Sequence, residues 1–252
     1  MRLDVLVAYL DEFLRLGDAA DAPEALNGLQ IANAGDVTRL AASVDACEAT
    51  IRMAARERAD CLLVHHGLFW GGLRPLVGPA YRRLAGLIQD NIAVYAAHAP
   101  LDRHPEVGNN AVLARLLGVK LRGEFGEYHG APIGVWGEFD GTRDDLTRAL
   151  GAALGAGAAP RIFPFGPARV QRVGIVTGAG GSLIAQAAAA GLDTYITGEG
   201  QHWTFFDAEE LEMNVCFAGH YATETVGVKA LAEHVAQQYG LPWVFLDHPT
   251  GL

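Results

Sequence analysis

Cys61-Leu62-Leu63-Val64-His65-His66-Gly67-Leu68-Phe69-Trp70-Gly71-Gly72 decides how the rest of the chain is read. Its first four residues form a short apolar run that reads as a buried strand. Two adjacent histidines follow, then a glycine and an aromatic pair. Inside a regular strand, neighbouring side chains point to opposite faces, so both imidazoles would not serve one pocket. At the carboxyl end of the strand, where Gly67 releases the backbone, they can. In open α/β sheets that end is where ligands bind. His65 and His66 are therefore candidate metal ligands.

Outward from this stretch an alternating βαβ pattern appears. Upstream, Leu40–Val44 reads as a strand and Cys47–Arg58 as a helix. Downstream, Ala80–Gln89 reads as a helix, and Ile92–Ala97 as a strand ending at His98-Ala99-Pro100-Leu101-Asp102. Asn109–Leu117 is helical. At the amino end, Leu3, Leu6, Val7, Leu10, Phe13 and Leu14 recur at helical spacing, which predicts an amphipathic helix over 3–16 closed by Gly17. Pro23–Gln30 is a turn-rich connection around Asn27-Gly28. In the middle, Ile133–Phe139 reads as a strand and Thr142 as the N-cap of a helix over Leu146–Leu154. Gly151–Pro160 reads as the end of that helix plus a loop.

From Arg172 the first pattern returns: strand Val173–Val176, helix Ser182–Ala190, strand Thr194–Thr197, strand Val215–Ala218, helix Val226–Tyr239 and strand Trp243–Leu246. Arg39 precedes Asp60 by 21 residues, and Arg172 precedes Asp193 by 21. In that register Leu40 meets Val173, Gly67 meets Gly200, and His66 meets Glu199. Each half also ends a strand in His-x-x-x-acid, His98 to Asp102 and His220 to Glu224. The expected fold class is therefore α/β: two pseudo-repeated α/β lobes, 1–125 and 126–252, with a metal cleft between them.

Composition bounds the function. Of 252 residues 50% are hydrophobic and 19% charged, ordinary values for a globular protein. A net charge of -10 and the absence of basic runs argue against nucleic acid as a partner. Three cysteines, Cys47, Cys61 and Cys216, with no Cys-x-x-Cys pair, fit a reducing compartment, and no secretory pattern is visible. The uncharged run Val173–Leu192 imitates a membrane span, but its five glycines read better as strand, turn and helix. A cytoplasmic protein without membrane contact is expected.

The strand-end groups His65, His66, His98, Asp102, Glu199, His220 and Glu224 form an imidazole and carboxylate set without thiolate. Such a set suits Zn²⁺, Mn²⁺, Fe²⁺, Co²⁺ or Ni²⁺ better than Mg²⁺ or Ca²⁺, and it is large enough for two ions. Taken alone, His98 reads as a hydrogen-bonded structural group, and each His-x-x-x-acid pair is a weak signal. Their shared placement after apolar strands favours metal. His104, His129, His202, His234 and His248 read as surface or core residues. Thr177-Gly178-Ala179-Gly180-Gly181-Ser182 has the form of an anion-holding turn, although a plain strand-to-helix turn explains it as well. For Phe69 and Trp70, core packing is the default.

Five motifs, Asn27-Gly28-Leu29-Gln30, Val64–Trp70, His98–Asp102 with His104–Asn110, Thr197-Gly198-Glu199 and Ala218–Glu224, resemble those of the Nif-three-like family, also named GTP cyclohydrolase I type-two homologues. The similarity spans nearly the whole chain and matches the short members. Gln201 and Ala99 depart from the family pattern and bear on substrate preference. The resemblance implies a di-metal centre held by His65, His66, Asp102, His220 and Glu224, with Glu224 bridging, and a ring-shaped homohexamer. It also implies Glu199 and His98 as catalytic residues, and a small-molecule, nucleotide-like substrate hydrolysed with metal assistance. A non-catalytic metal-binding ring serving as regulator, chaperone or scaffold is the rival expectation.

Overall fold

The structure is a computed structural model that describes residues 1–18, 20–155 and 160–252. The loop expected within Gly151–Pro160 falls largely on 156–159, outside the described residues. In chain order the first elements are α1 (Leu3–Phe13), β1 (Gly28–Ile31), β2 (Leu40–Asp45), α2 (Glu48–Arg56), β3 (Cys61–His66), α3 (Gly78–Gln89) and β4 (Ala93–Ala96). Next come α4 (Ala99–Arg103), α5 (Asn109–Leu116), β5 (Lys120–Tyr128), β6 (Ala131–Thr142), α6 (Arg143–Leu154), β7 (Arg161–Pro164) and β8 (Arg169–Val176). The chain ends with α7 (Ile184–Ala189), β9 (Thr194–Thr197), α8 (Thr204–Glu210), β10 (Asn214–Phe217), α9 (His220–Tyr239) and β11 (Trp243–Phe245). The α/β class expected from the sequence is the class observed. Among the described residues no helix is long and apolar enough to cross a membrane.

Two compact units divide the chain: Met1–Leu101 with Val228–His248, and Asp102–Gly227 with Pro249–Leu252. The first unit holds a five-stranded sheet of order β1-β4-β3-β2-β11, in which only β1 runs antiparallel to its neighbour. Leu62, Val64, Val94, Ile51, Leu87 and Ile92 pack together as a core cluster. Full burial of each such side chain contributes about 1.5–3 kcal/mol. The second unit holds a six-stranded sheet of order β5-β6-β8-β9-β10-β7. Leu113, Leu146, Leu150, Val173, Ile175 and Ile196 are in its core cluster.

The internal repeat is visible strand by strand. In the first sheet β1-β4-β3-β2 is one antiparallel strand followed by three parallel ones, and β7-β10-β9-β8 repeats this in the second. Leu40 pairs with Cys61 and Val173 with Thr194. The Arg and Asp that suggested the repeat fix this register. Asp60 N–H donates to Arg39 O at 3.1 Å, and Asp193 N–H to Arg172 O at 3.0 Å. The Asp60 carboxylate accepts the Thr38 and Arg39 amides, and Asp193 Oδ2 accepts those of Gln171 and Arg172.

Several elements differ from expectation. Helix α1 stops at Phe13 because Arg15, not Gly17, turns left-handed at φ 53°. The Asn27-Gly28 turn is present, with Gly28 at φ 95°, but the chain leaves it directly as strand β1. The run Val173–Leu192 resolves into the end of β8, a turn, a short 3₁₀ segment and α7, which accounts for its uncharged character. Strands β5 and β7 and helix α8 carry no periodic signal strong enough to read. Helix α9 begins at His220, six residues before the expected Val226, and Thr142 caps α6 as read.

Candidate metal centre

The first unit brings three imidazoles together. Strand β3 runs through both histidines, and Asp45 at the end of β2 lies in register with His66. His65 and His66 end the strand with ring centroids 4.7 Å apart, and the ring of His98 lies 5.0 Å from that of His65. One ligand atom from each of His65, His66 and His98 lies within 4.8 Å of the others. The alternation that would have parted two strand histidines is thus overcome at the strand end.

An oxygen acceptor holds Nδ1 of each ring. His65, fully buried, meets Ala97 O at 2.9 Å, His66 meets Asp45 Oδ1 at 2.9 Å, and His98 meets Asp21 Oδ1 at 2.8 Å. A carbonyl or carboxylate oxygen only accepts, so Nδ1 carries the proton. In the neutral ring the lone pair then sits on Nε2, the arrangement that supports metal ligation. Burial pushes the Asp21 carboxyl up, but hydrogen bonds from His98, Asn27 and the Ala22 amide more than offset this and hold it below the ordinary range.

The Asn27–Gln30 motif builds this wall. Asn27 Oδ1 accepts the His98 amide at 2.7 Å, and its Nδ2 donates to Asp21 Oδ2 at 2.8 Å. Gln30 Oε1 accepts the Leu68 amide at 2.6 Å, and its side chain lies so close over Gly67 that a methyl group there would collide with it. Three motifs distant in sequence are therefore tied into one structure. Phe69 and Trp70 are half-buried rather than core, and both line a cavity of about 630 Å³ beside His66.

The second unit gathers Asp102, Glu199, His220 and Glu224. Asp102, 8% exposed, accepts from Asn109 Nδ2 at 2.8 Å and lies 3.2 Å from the Thr177 hydroxyl. Asn109 and Asn110 are fully buried; Asn109 Oδ1 accepts the Gly227 amide, and Asn110 Oδ1 accepts that of Thr177. Beyond Thr177, Gly178 N–H donates to Thr223 Oγ1 at 3.0 Å. A methyl group on Gly178 would collide with Glu224 Oε1, so the same turn reaches Asp102 and Glu224.

His220 and Glu224 sit one turn apart at the start of α9, and His220 Nε2 lies 3.2 Å from Glu224 Oε2. This His-x-x-x-acid pair is thus one face of a helix rather than two strand-end residues. His98 stands just before α4, which contains Asp102 and starts with Pro100 in its first turn, where proline is tolerated. His220 Nδ1 meets Glu199 Oε1 at 3.0 Å. Burial lowers the proton affinity of this ring, but Glu224 and Glu199 outweigh it and raise the pKa to about 9. A carboxylate on each side of the imidazole favours a positive charge there, whether a proton or a cation.

Three amides of the Gly-rich turn are taken by acceptors within the protein. Gly178 N–H is taken by Thr223, Gly180 N–H by Thr197 Oγ1 and Gly181 N–H by Glu199 O. Sequence reading missed Asp21 and Asp45 as partners of the histidines, and it assigned no role to Asn109 or Asn110.

Residues 1–250 match the family described as Duf34/NIF3 (NGG1p interacting factor 3). A Deinococcus radiodurans protein named GTP cyclohydrolase 1 type 2 homolog is 46% identical over 252 residues, covering 99% of this chain and 94% of that protein. Its Pyrococcus abyssi namesake is 42% identical, with 100% of both chains covered. The crystal structure of TTHA1606 from Thermus thermophilus is similar over 100% of both chains, at 45% identity and a TM-score of 0.89.

Proposed function

This chain belongs to the Duf34/NIF3 family, and from that premise and its own side chains we propose that it is a metal-dependent hydrolase of a nucleotide-like substrate. The observation that carries the reading is the group of three imidazoles, His65, His66 and His98, each anchored at Nδ1 by an oxygen acceptor. The donor set fits a divalent transition metal: imidazoles held at Nδ1 in one unit, and in the other buried carboxylates with an imidazole flanked by acids. His65, His66, Asp102, His220 and Glu224 are the residues that would hold two ions. Bound divalent ions lower the proton affinity of water and offset negative charge that builds on a substrate oxygen.

The chain's own groups supply the rest. His98, its ring oriented by the Asp21 carboxylate at Nδ1, is placed to move a proton to or from the substrate. Glu199 orients His220 and, being partly exposed, passes protons to solvent. The name shared by the relatives suggests GTP, opened by hydrolysis at C8 of its imidazole ring. A cytoplasmic hexameric ring is the assembly we carry over from the resemblance.

Metal analysis of gently purified protein, joined to a metabolite turnover screen, tests this reading. We expect bound transition metal and metal-dependent loss of a nucleotide. A chain that holds no such metal and takes none up on titration refutes the metal reading. Metal-loaded protein that leaves GTP unchanged refutes the cyclohydrolase form. If Glu199→Gln and His98→Ala also change no phenotype, the non-catalytic ring replaces the enzyme.

A further inference from the structure

The cavity beside His66 is walled in part by Asp45, Cys47, Phe69, Trp70, Arg74 and Arg83. Its volume of about 630 Å³ lies within the range of pockets that enclose a small organic molecule. Among the described residues Asp45 is the one carboxylate on its wall, and that group is engaged by His66 Nδ1. The guanidinium groups of Arg74 and Arg83 therefore dominate the charge of the cavity. Among the described residues, Arg83 Nε is buried without a hydrogen-bond partner. Glu48 feels the charge of Arg83, but it is bridged to Arg82 at 2.7 Å and to Arg52 at 3.4 Å. A guanidinium whose donors are not all satisfied within the protein favours an anionic acceptor nearby. Trp70 is pinned by its Nε1–H to Gly67 O at 3.0 Å and stands edge-on to the rings of His66 and His98. With Phe69 it forms an aromatic wall of the cavity that Arg74 and Arg83 also line.

We propose that this cavity binds the substrate, and that Arg83, assisted by Arg74, recognises an anionic group on a ligand whose flat ring packs against Phe69 and Trp70. Flat-ringed organic phosphates, the class that includes nucleotides, meet both demands. The inference rests on the hydrolase reading, because it sets the ligand beside the proposed metal ligand His66.

Binding of GTP, guanosine and tripolyphosphate to the full chain, after metal removal by chelation, tests it without help from metal–phosphate contacts. Calorimetry gives affinity, and protection of Cys47 from alkylation reports occupancy of the cavity. GTP and tripolyphosphate are expected to bind, guanosine far more weakly, and GTP should slow Cys47 alkylation. Arg83→Gln should weaken GTP by roughly ten- to hundredfold. Arg83→Lys should lose less, since it keeps the charge without the planar fork. Should Arg83→Gln fail to fold, Arg83→Lys and Arg74→Gln carry the comparison. The proposal is overturned if the wild-type chain does not bind GTP, if guanosine binds as well, or if the Arg83 variants stay within about twofold of wild type. Metal content and turnover are measured separately. A chain that turns over nucleotide with metal but ignores Arg83 sinks this inference alone. One that binds GTP through Arg83 yet takes up no metal sinks the hydrolase reading alone.

Discussion

Gly178→Ala should damage the second unit's group of acids and imidazole more than a methyl added at any other glycine of positive φ. Gly178 has φ 68°, where an L-residue other than glycine pays roughly 1–2 kcal/mol. Its new methyl would also meet Glu224 Oε1, on a side chain that is buried against His220. Moving that carboxylate breaks a charge-assisted contact worth about 1.5–3 kcal/mol. The sum is about 2.5–5 kcal/mol, which at roughly 2–4 °C per kcal/mol lowers Tm by about 5–20 °C. Gly118→Ala is the control: Gly118 also has positive φ, at 72°, but nothing lies within 4 Å of its added methyl. It should show the backbone strain alone and leave metal uptake intact. Calorimetry with metal stoichiometry on both variants separates the terms. Equal Tm losses for the two, with wild-type metal uptake by Gly178→Ala, would refute the reasoning.

Three further outcomes follow from the same geometry. In metal-free protein His220 is raised from its ordinary 6.5 to about 9, so the stability it contributes is complete below about pH 6.5 and lost as pH rises through 9. Thermal unfolding of chelated protein across pH 6–10 should show this loss, and Glu199→Gln should move it to lower pH; a Glu199→Gln profile identical to wild type would count against the pairing. Asp21→Ala strips an acceptor from His98 Nδ1, Asn27 Nδ2 and the Ala22 and Ala99 amides, and should destabilise by about 1–3 kcal/mol, read by urea unfolding. Burial pushes the Cys61 and Cys216 thiols up to about 12, so iodoacetamide at pH 8 should label Cys47 alone in the native chain, and mass spectrometry before and after unfolding checks it.

The parts of the fold that were legible in the sequence are those with an apolar run between clear stops. Thr194–Thr197 matches β9 residue for residue, and Leu40–Val44 misses only the last residue of β2. Strand β5 escaped because Lys120–Tyr128 spreads charged residues and two glycines over a half-exposed edge strand, leaving little apolar alternation. The His129-Gly130 turn after it, with φ 51° and 87°, was the available signal, since two positive φ values mark a tight hairpin. The start of α9 was obscured by its own polar residues: His220, Thr223 and Glu224 look like strand-end groups until the chain is known to turn at Gly219, where φ is 93°.

The supporting acids were harder to see than the histidines, yet one of them was within reach. Asp45 and His66 are 21 residues apart, the same offset that aligns Arg39 with Asp60 and pairs Leu40 with Cys61. Once β2 and β3 are taken as parallel neighbours in that register, Asp45 must end opposite His66. The second half has a related pairing one strand later: Glu199 follows β9 and supports His220, which follows β10, but here the strands pair at an offset of 20 and the histidine stands one residue beyond the register position. Each acid thus reaches a histidine from the end of the adjacent strand, so sheet order determines which acid serves which ring. Asp21 has no such rule. It reaches His98 across 77 residues from a loop, and only the Asn27 contact to both residues records the pairing. This divides what local sequence can reveal from what it cannot. Strand register transmits the first kind of partnership through the repeat, whereas the loop contact exists only in the folded chain.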